Sequence, residues 1–240
     1  MNINDLEEKI RQSESMSLSA AFPILMRKVY LWMAMALAIS GLTAYSVAAS
    51  PGLVQLIYSN SLVMWGCIIA ELVMVWKISN SVTKENRSLA TTTLMFIIFS
   101  ALNGVTLSSI FVLFAPAAIV KTFVITAGTF GVMAAYGYFT SRDLTKIGGL
   151  LFMALIGVII ASVVNMFLHS SGLDLVVSII GVLVFVGLTA WDSQQIKMSL
   201  AMAPDLGETS QKLAVTGALS LYLDFVNLFL YLLRILGDRK

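Results

Sequence analysis

Charge is scarce in this sequence. Only 12% of its 240 residues are charged, whereas 58% are hydrophobic; an ordinary soluble domain is about 25% charged. So few charges cannot cover a globular surface with polar groups, which excludes a soluble enzyme, a disordered regulator and a nucleic-acid-binding protein. The formal net charge of +2 adds no argument for a polyanionic partner.

Cysteine and histidine are almost absent as well. Each occurs once, as Cys67 and His169. A single cysteine cannot build a disulfide framework, and one Cys with one His cannot build a zinc site from these residue types. We therefore expect no resident cofactor.

Long apolar runs occupy most of the chain, whose mean hydropathy is +0.90. A membrane-spanning helix needs about 20 apolar residues, and the alternating pattern of a membrane β-barrel is absent. The runs predict spans at about 29–49, 57–78, 89–114, 118–140, 147–168, 174–196 and 213–236. The sequence thus predicts an all-α polytopic membrane protein in a lipid bilayer, with a cytoplasmic tail at 1–28 and a single seven-span domain at 29–238.

The orientation follows from Lys and Arg, which are enriched on the cytoplasmic side. The N-terminal tail carries four of them, the first connection none and the second connection Lys84 and Arg87. This alternation predicts a cytoplasmic N-terminus, and seven spans then place the C-terminus outside. Arg234, Arg239 and Lys240 at that end conflict with the rule, yet we favour seven crossings.

Three carboxylates lie inside predicted spans: Glu71, Asp192 and Asp224. Ionisable residues within a bilayer are costly, so each is a functional candidate by default. Glu71 stands apart from the other two and is a candidate for lining a cation path. Its alternative role is to pair with a neighbouring polar group or to extend toward the interface.

The last span carries a polar stripe around Asp224. The spacings of 4, 4, 3, 4 and 3 residues place its members on one helix face, which must contact protein or water rather than lipid. For Ser220 and Asn227, hydrogen bonding between packed helices is an equally good interpretation. The members of the stripe are Thr216, Ser220, Asp224, Asn227, Tyr231 and Arg234.

Asp192 and Asp224 flank the connection between spans 6 and 7 symmetrically, each 16 residues from position 208. On two antiparallel helices this spacing predicts similar depths, so the two carboxyl groups could meet. Two carboxylates in a poorly solvated site cannot both ionise cheaply, and the pair is expected to share a proton. Once deprotonated, it would repel itself or attract a hard cation such as Ca²⁺.

Three segments carry a resemblance to a known family. They are LNGVTLS at 102–108, Asp192 followed by QIK at 195–197, and ALSLYLDFVNLF at 218–229, which LLR follows at 232–234. Together they resemble the Bax inhibitor-1 family, also called the transmembrane Bax inhibitor motif family, over about residues 20–238. The last segment is the most specific of the three, and the whole pattern is similar to the bacterial members, which implies the bacterial inner membrane.

The resemblance implies six helices wrapped around a central C-terminal helix, and a pH-sensitive Ca²⁺ leak channel. Asp192 and Asp224 match the family's aspartate pair, which is the pH sensor and a candidate Ca²⁺ ligand, and Glu71 matches the acidic residue of its ion path. One feature departs from the bacterial pattern. A basic latch residue follows that glutamate by about three turns in the relatives, but here the segment reads ISNSV at 78–82, and Lys77 is the nearest substitute. Supporting polar contacts are expected from Ser220, Asn227, Asn103 and Arg234.

Other functions stay open beside the channel, whose transported ion would be Ca²⁺ and whose regulator would be the proton. A proton-coupled transporter, or a regulatory protein with membrane-protein partners, is compatible with the same residues. An intramembrane aspartyl protease fits less well: Leu221 and Leu223 stand where a G-x-G-D motif requires glycines, and no proline is followed by Ala-Leu. Retinal binding would need a lysine within the last span, where none occurs. We therefore predict that the protein is not an enzyme.

Overall fold

The computed structural model describes residues 3–83, 87–203 and 205–238, with side chains from residue 21 onward. Within these ranges seven helices are long and apolar enough to cross a membrane, which confirms the predicted number of spans. The helices are α1 (Ile3–Ala48), α2 (Pro51–Tyr58), α3 (Ser61–Ser79), α4 (Leu89–Leu113), α5 (Pro116–Phe139), α6 (Thr145–Leu168), α7 (Ser171–Ala201) and α8 (Glu208–Leu236). All but α2 are candidate spans.

Two helix starts differ from the predicted spans. Helix α1 begins at Ile3, well before the predicted first span at 29–49, and Ala21, Leu25 and Val29 are all at most 3% exposed and pack into the core. The second span, predicted at 57–78, begins at Ser61. The Asn60 side chain accepts a hydrogen bond from the Leu62 backbone N–H at 3.0 Å and so caps the start of α3, while the preceding connection forms the separate short helix α2.

Helix α8 is the centre of the bundle. In its most apolar 18-residue stretch 61% of the residues are buried, against 6% for α3 and 11% for α6. Helices α1, α3, α4, α5 and α7 pack directly against it, while α6 packs against α7. The predicted architecture, in which the other spans surround a central C-terminal helix, is confirmed.

The antiparallel pair of α7 and α8 is held against the rest by close helix crossings. At Gly137 of α5, an added Cβ would lie 2.7 Å from the carbonyl carbon of Ala190 on α7. Real Cβ atoms do not approach backbone this closely, so glycine at this position lets the two backbones meet. Helix α7, which carries Asp192, is thereby fixed against α5.

We expect Gly137→Ala to destabilise the protein, because the new methyl group would push α5 and α7 apart. Overpacking of this kind costs about 1–3 kcal/mol, which should lower the midpoint of thermal unfolding in detergent. Gly128→Ala is the matched control, since a Cβ at Gly128 meets nothing within 4 Å. Equal midpoints for the two variants would contradict the close crossing.

Candidate functional site

The structure brings the carboxyl groups of Asp192 on α7 and Asp224 on α8 within hydrogen-bonding reach of each other. Asp224 is only 4% exposed, and Asp192 is half-buried. Because α7 and α8 are antiparallel neighbours, the symmetric placement of these residues about the connection puts them at the same level. Two acidic side chains from consecutive spans therefore share one buried position.

No cation balances this pair within the part of the chain that the structure describes. Neither aspartate takes part in an ion pair, and the Oδ2 atom of Asp224 is buried without a hydrogen-bond partner. Polar side chains that flank Asp192 along α7 point instead to α5. Ser193 donates to the carbonyl of Ala134 at 2.8 Å, and Lys197 Nζ donates to the carbonyl of Tyr138 at 2.7 Å.

The segment in which the relatives carry a basic latch lies at the end of α3. Lys77, the nearest basic residue to that position, is exposed, and in the described ranges its ammonium group forms no ion pair. Its carbonyl oxygen accepts a hydrogen bond from Arg87 Nη1. The Arg87 guanidinium therefore lies against the C-terminal end of α3. In the described ranges, neither Lys77 nor Arg87 forms an ion pair with Asp192 or Asp224. Lys84 lies outside the described residues.

Glu71 on α3 is held by two neutral donors from one turn of α4. Asn103 Nδ2 donates to its Oε2 atom at 3.2 Å, and Thr106 Oγ1 donates to its Oε1 atom at 2.9 Å. Neutral donors orient a carboxylate without cancelling its charge. Glu71 is therefore fixed in place while remaining a site of negative charge when ionised.

A cavity of about 450 Å³ opens beside Glu71 between α3, α4 and α8. Its polar lining includes Asn103, Thr106, Asn227 and Arg234. Arg234 forms an ion pair with Asp174 of α7, with 3.6 Å between nitrogen and oxygen. The cavity thus has a mainly apolar lining with a group of polar side chains, an acidic residue on its wall and an ion pair beside it.

Tyr222 joins this region to the central helix, although nothing in the sequence analysis singled it out. It is fully buried on α8, and its hydroxyl donates to Asn103 Oδ1 at 2.8 Å. The same hydroxyl lies 2.7 Å from Ser40 Oγ of α1. Through Asn103 the connection continues to Glu71, so four helices meet in one hydrogen-bonded network. One sequence feature could have pointed to Tyr222: a tyrosine inside an apolar helix normally needs a hydrogen-bond partner for its hydroxyl group.

The residues predicted to support the site divide into two groups. Asn103 and Arg234 make the inter-helix contacts described above. Asn227 lines the cavity, but its Nδ2 atom donates within α8 to the carbonyl of Leu223 at 2.8 Å. Ser220 is half-buried. Neither of the latter two is hydrogen-bonded to the aspartate pair in the described structure.

The acidic residues do not form a dense metal cluster. Among the residues that the structure describes, no three His, Cys, Asp or Glu side chains are grouped so that they could hold a metal ion. Ca²⁺ takes about six to eight oxygen ligands, more than Asp192 and Asp224 supply by themselves. The pair alone therefore supplies too few ligands to hold Ca²⁺.

We expect Tyr222→Phe to destabilise the protein, because it removes the donor for the partly buried Asn103 Oδ1 atom. An unsatisfied buried polar group costs about 1–3 kcal/mol, which would lower the thermal midpoint in detergent. Tyr136→Phe is the control: Tyr136 is 46% exposed, and the described structure shows no hydrogen bond from its hydroxyl. If both variants unfold at the wild-type temperature, the network contributes no stability.

The fold and the site define a class of protein: an integral membrane protein in which lipid-facing helices surround a central helix with buried acidic residues. The comparison with known families is specific. The family model described as "Inhibitor of apoptosis-promoting Bax1" matches residues 23–240. The chain belongs to this family, the Bax inhibitor-1 family, which confirms the resemblance carried by the three sequence segments.

Curated relatives match over nearly their whole length. The chain is 47% identical to inner membrane protein YbhL of Escherichia coli K12 over 217 residues, which cover 90% of this chain and 92% of YbhL. It is 47% identical to a protein of Borreliella burgdorferi over 213 residues, or 89% of this chain and 91% of that one. It is also 40% identical to protein RP147 of Rickettsia prowazekii over 215 residues, or 90% of this chain and 89% of RP147.

Proposed function

We propose that this protein is a pH-sensitive Ca²⁺ leak channel, in which Asp192 and Asp224 form the gate. The observation that carries the proposal is the contact between the buried Asp224 carboxyl group and the half-buried Asp192 carboxyl group on different helices, with no cation paired to either in the described structure. The activity is passive transport and not catalysis, with Ca²⁺ as the transported ion.

The gate works through one shared proton. An ionised carboxyl group is only an acceptor, so a hydrogen bond between Asp192 and Asp224 requires that one of them be protonated. Acid preserves this bond and holds α7 against α8 in the closed arrangement. When the proton leaves at higher pH, two unit charges about 4 Å apart repel each other by about 4 kcal/mol at an effective dielectric constant near 20. Since about 1.4 kcal/mol is a factor of ten, this repulsion can shift a gate equilibrium by about a thousandfold.

The ion path in this proposal runs along the cavity beside Glu71. The carboxylate attracts a cation into a space that is otherwise surrounded by apolar helices, and the neighbouring amide and hydroxyl groups can replace part of its hydration shell. Tyr222, two residues before Asp224 on α8, donates its hydrogen bond to Asn103 and not to Glu71 itself. The aspartate pair and Glu71 are therefore separate sites, one for gating and one for the ion path.

We place the channel in a bacterial inner membrane with its N-terminus in the cytoplasm. The location is supported by the E. coli relative, whose name describes an inner membrane protein, and by the seven candidate spans. The orientation rests on the alternation of Lys and Arg between connections.

The test is Ca²⁺ flux into proteoliposomes that contain a Ca²⁺-sensitive dye, measured from acidic to alkaline pH. We expect passive influx above that of protein-free liposomes, rising with pH. No flux above the protein-free level at any pH would overturn the proposal. Saturable uptake against a gradient, driven by a pH difference, would instead favour a proton-coupled transporter.

A further inference from the structure

A second cavity, of about 510 Å³, lies between α1 and α5. Both helices pack against α7 and α8, and within the described residues their backbones do not approach each other. Phe22 of α1 and Tyr138 of α5 stack with ring centroids 6.3 Å apart, so the two helices touch only through side chains beside the cavity. Its walls are largely apolar and include Met26, Phe130, Gly131 and Ala134. This volume lies in the range of pockets that hold small molecules, about 300–1,000 Å³.

Among the side chains that the structure describes, the residues at the edge of this cavity carry positive charge. Arg27 lines it and is exposed, and the described structure shows neither a hydrogen bond nor an ion pair from its guanidinium. Lys197 Nζ lies nearby, 5.5 Å from the ring centroid of Tyr138, which also lines the cavity. No acidic side chain is among the described lining residues.

The depth of the cavity corresponds to one leaflet of a bilayer. Arg27 lies just before the predicted first span at 29–49, and Phe139 ends α5, so with alternating crossings both lie at the predicted cytoplasmic edge of the bundle. Tyr30 and Tyr138 lie beside them, as aromatic residues do at membrane interfaces. From Phe139 to Phe130 the wall extends about 13 Å along the helix, close to half of the about 30 Å hydrocarbon core.

We propose that this cavity binds an anionic phospholipid, with its phosphate on Arg27 and one acyl chain along Gly131 and Ala134. A guanidinium pairs with phosphate through two parallel hydrogen bonds. The apolar wall accepts the acyl chain without burying a polar group. The absence of a carboxylate from the described lining favours a lipid of net negative charge over a zwitterionic one.

The experiment is native mass spectrometry of the detergent-solubilised protein titrated with phosphatidylglycerol or with phosphatidylcholine. The wild-type protein should bind phosphatidylglycerol more tightly. Arg27→Gln should weaken this binding by about tenfold or more, as expected for a lost charge-assisted hydrogen bond. Arg142→Gln removes an exposed positive charge from the neighbouring α5–α6 turn and should leave the affinity unchanged.

Filling the cavity provides the second test. Added Cβ atoms at Gly131 and Gly128 both meet nothing within 4 Å, but only the former residue lines the cavity. Gly131→Leu should therefore reduce binding of both lipids, while Gly128→Leu should not. Wild-type affinity in Arg27→Gln, or equal losses within either matched pair of variants, would overturn the proposal. Ca²⁺ is not needed in these measurements, so their outcome is independent of channel activity.

Discussion

Asp192→Asn and Asp224→Asn should each remove most of the pH dependence of Ca²⁺ flux. Either change leaves a single carboxyl group at the buried position, so the proton can no longer be shared and the repulsion that opens the gate cannot develop. Asparagine keeps a hydrogen-bond donor but carries no charge, and the prediction therefore concerns the pH profile rather than the level of basal flux. Flux into proteoliposomes across the pH range is the measurement.

Asp143→Asn is the matched control for these variants. Asp143 lies in the exposed α5–α6 turn, and hydrogen bonds from the Thr145 side chain and backbone lower the pKa of its carboxyl group. This carboxylate is already ionised at mildly acidic pH, so its removal should leave the flux profile intact. Wild-type pH profiles in both aspartate-pair variants would show that the pair is not the gate.

Glu71→Gln should lower maximal Ca²⁺ flux without moving the pH midpoint. Glutamine keeps the shape of the side chain and an acceptor oxygen for Asn103 or Thr106, but it removes the charge that attracts the cation. The loss of about 1.4 kcal/mol of attraction corresponds to a factor of ten, and we expect an effect of about that size. The midpoint should stay because Glu71 is separate from the aspartate pair.

Two readouts make the Glu71 experiment decisive. An unchanged thermal midpoint in detergent would show that lower flux does not reflect loss of fold. A shifted pH midpoint with unchanged maximal flux would place Glu71 in the pH sensor and contradict its assignment to the ion path.

The number of spans and the meeting of the two aspartates follow from simple sequence rules. Apolar runs of sufficient length predict spans, and equal distances from a bend predict equal depth. The separate helix α2 (Pro51–Tyr58) did not follow, because its eight residues are too few for a span and its Pro51-Gly52 start is typical of a turn. Local hydrogen bonding at Asn60, rather than composition, separates the two helices.

Tyr222 illustrates what a sequence pattern does not reveal. In an apolar run it resembles a packing residue, and its partners Ser40 and Asn103 lie 182 and 119 residues away. Such a network depends on the rotation and depth of four helices at once. Helical spacing within a single span carries no information about these quantities.

The central position of α8 also has a consequence for biosynthesis. This helix is the last of the seven spans to be synthesised. The other six spans therefore enter the membrane before the helix that forms the centre of their bundle is present. The Ser40 hydroxyl and the Asn103 Oδ1 atom would meanwhile lack the Tyr222 hydroxyl that contacts both of them. Asp224 must enter the bilayer at a cost of a few kcal/mol before it meets Asp192. A nascent chain that ends before Glu208 is therefore expected to be recognised as incomplete and degraded.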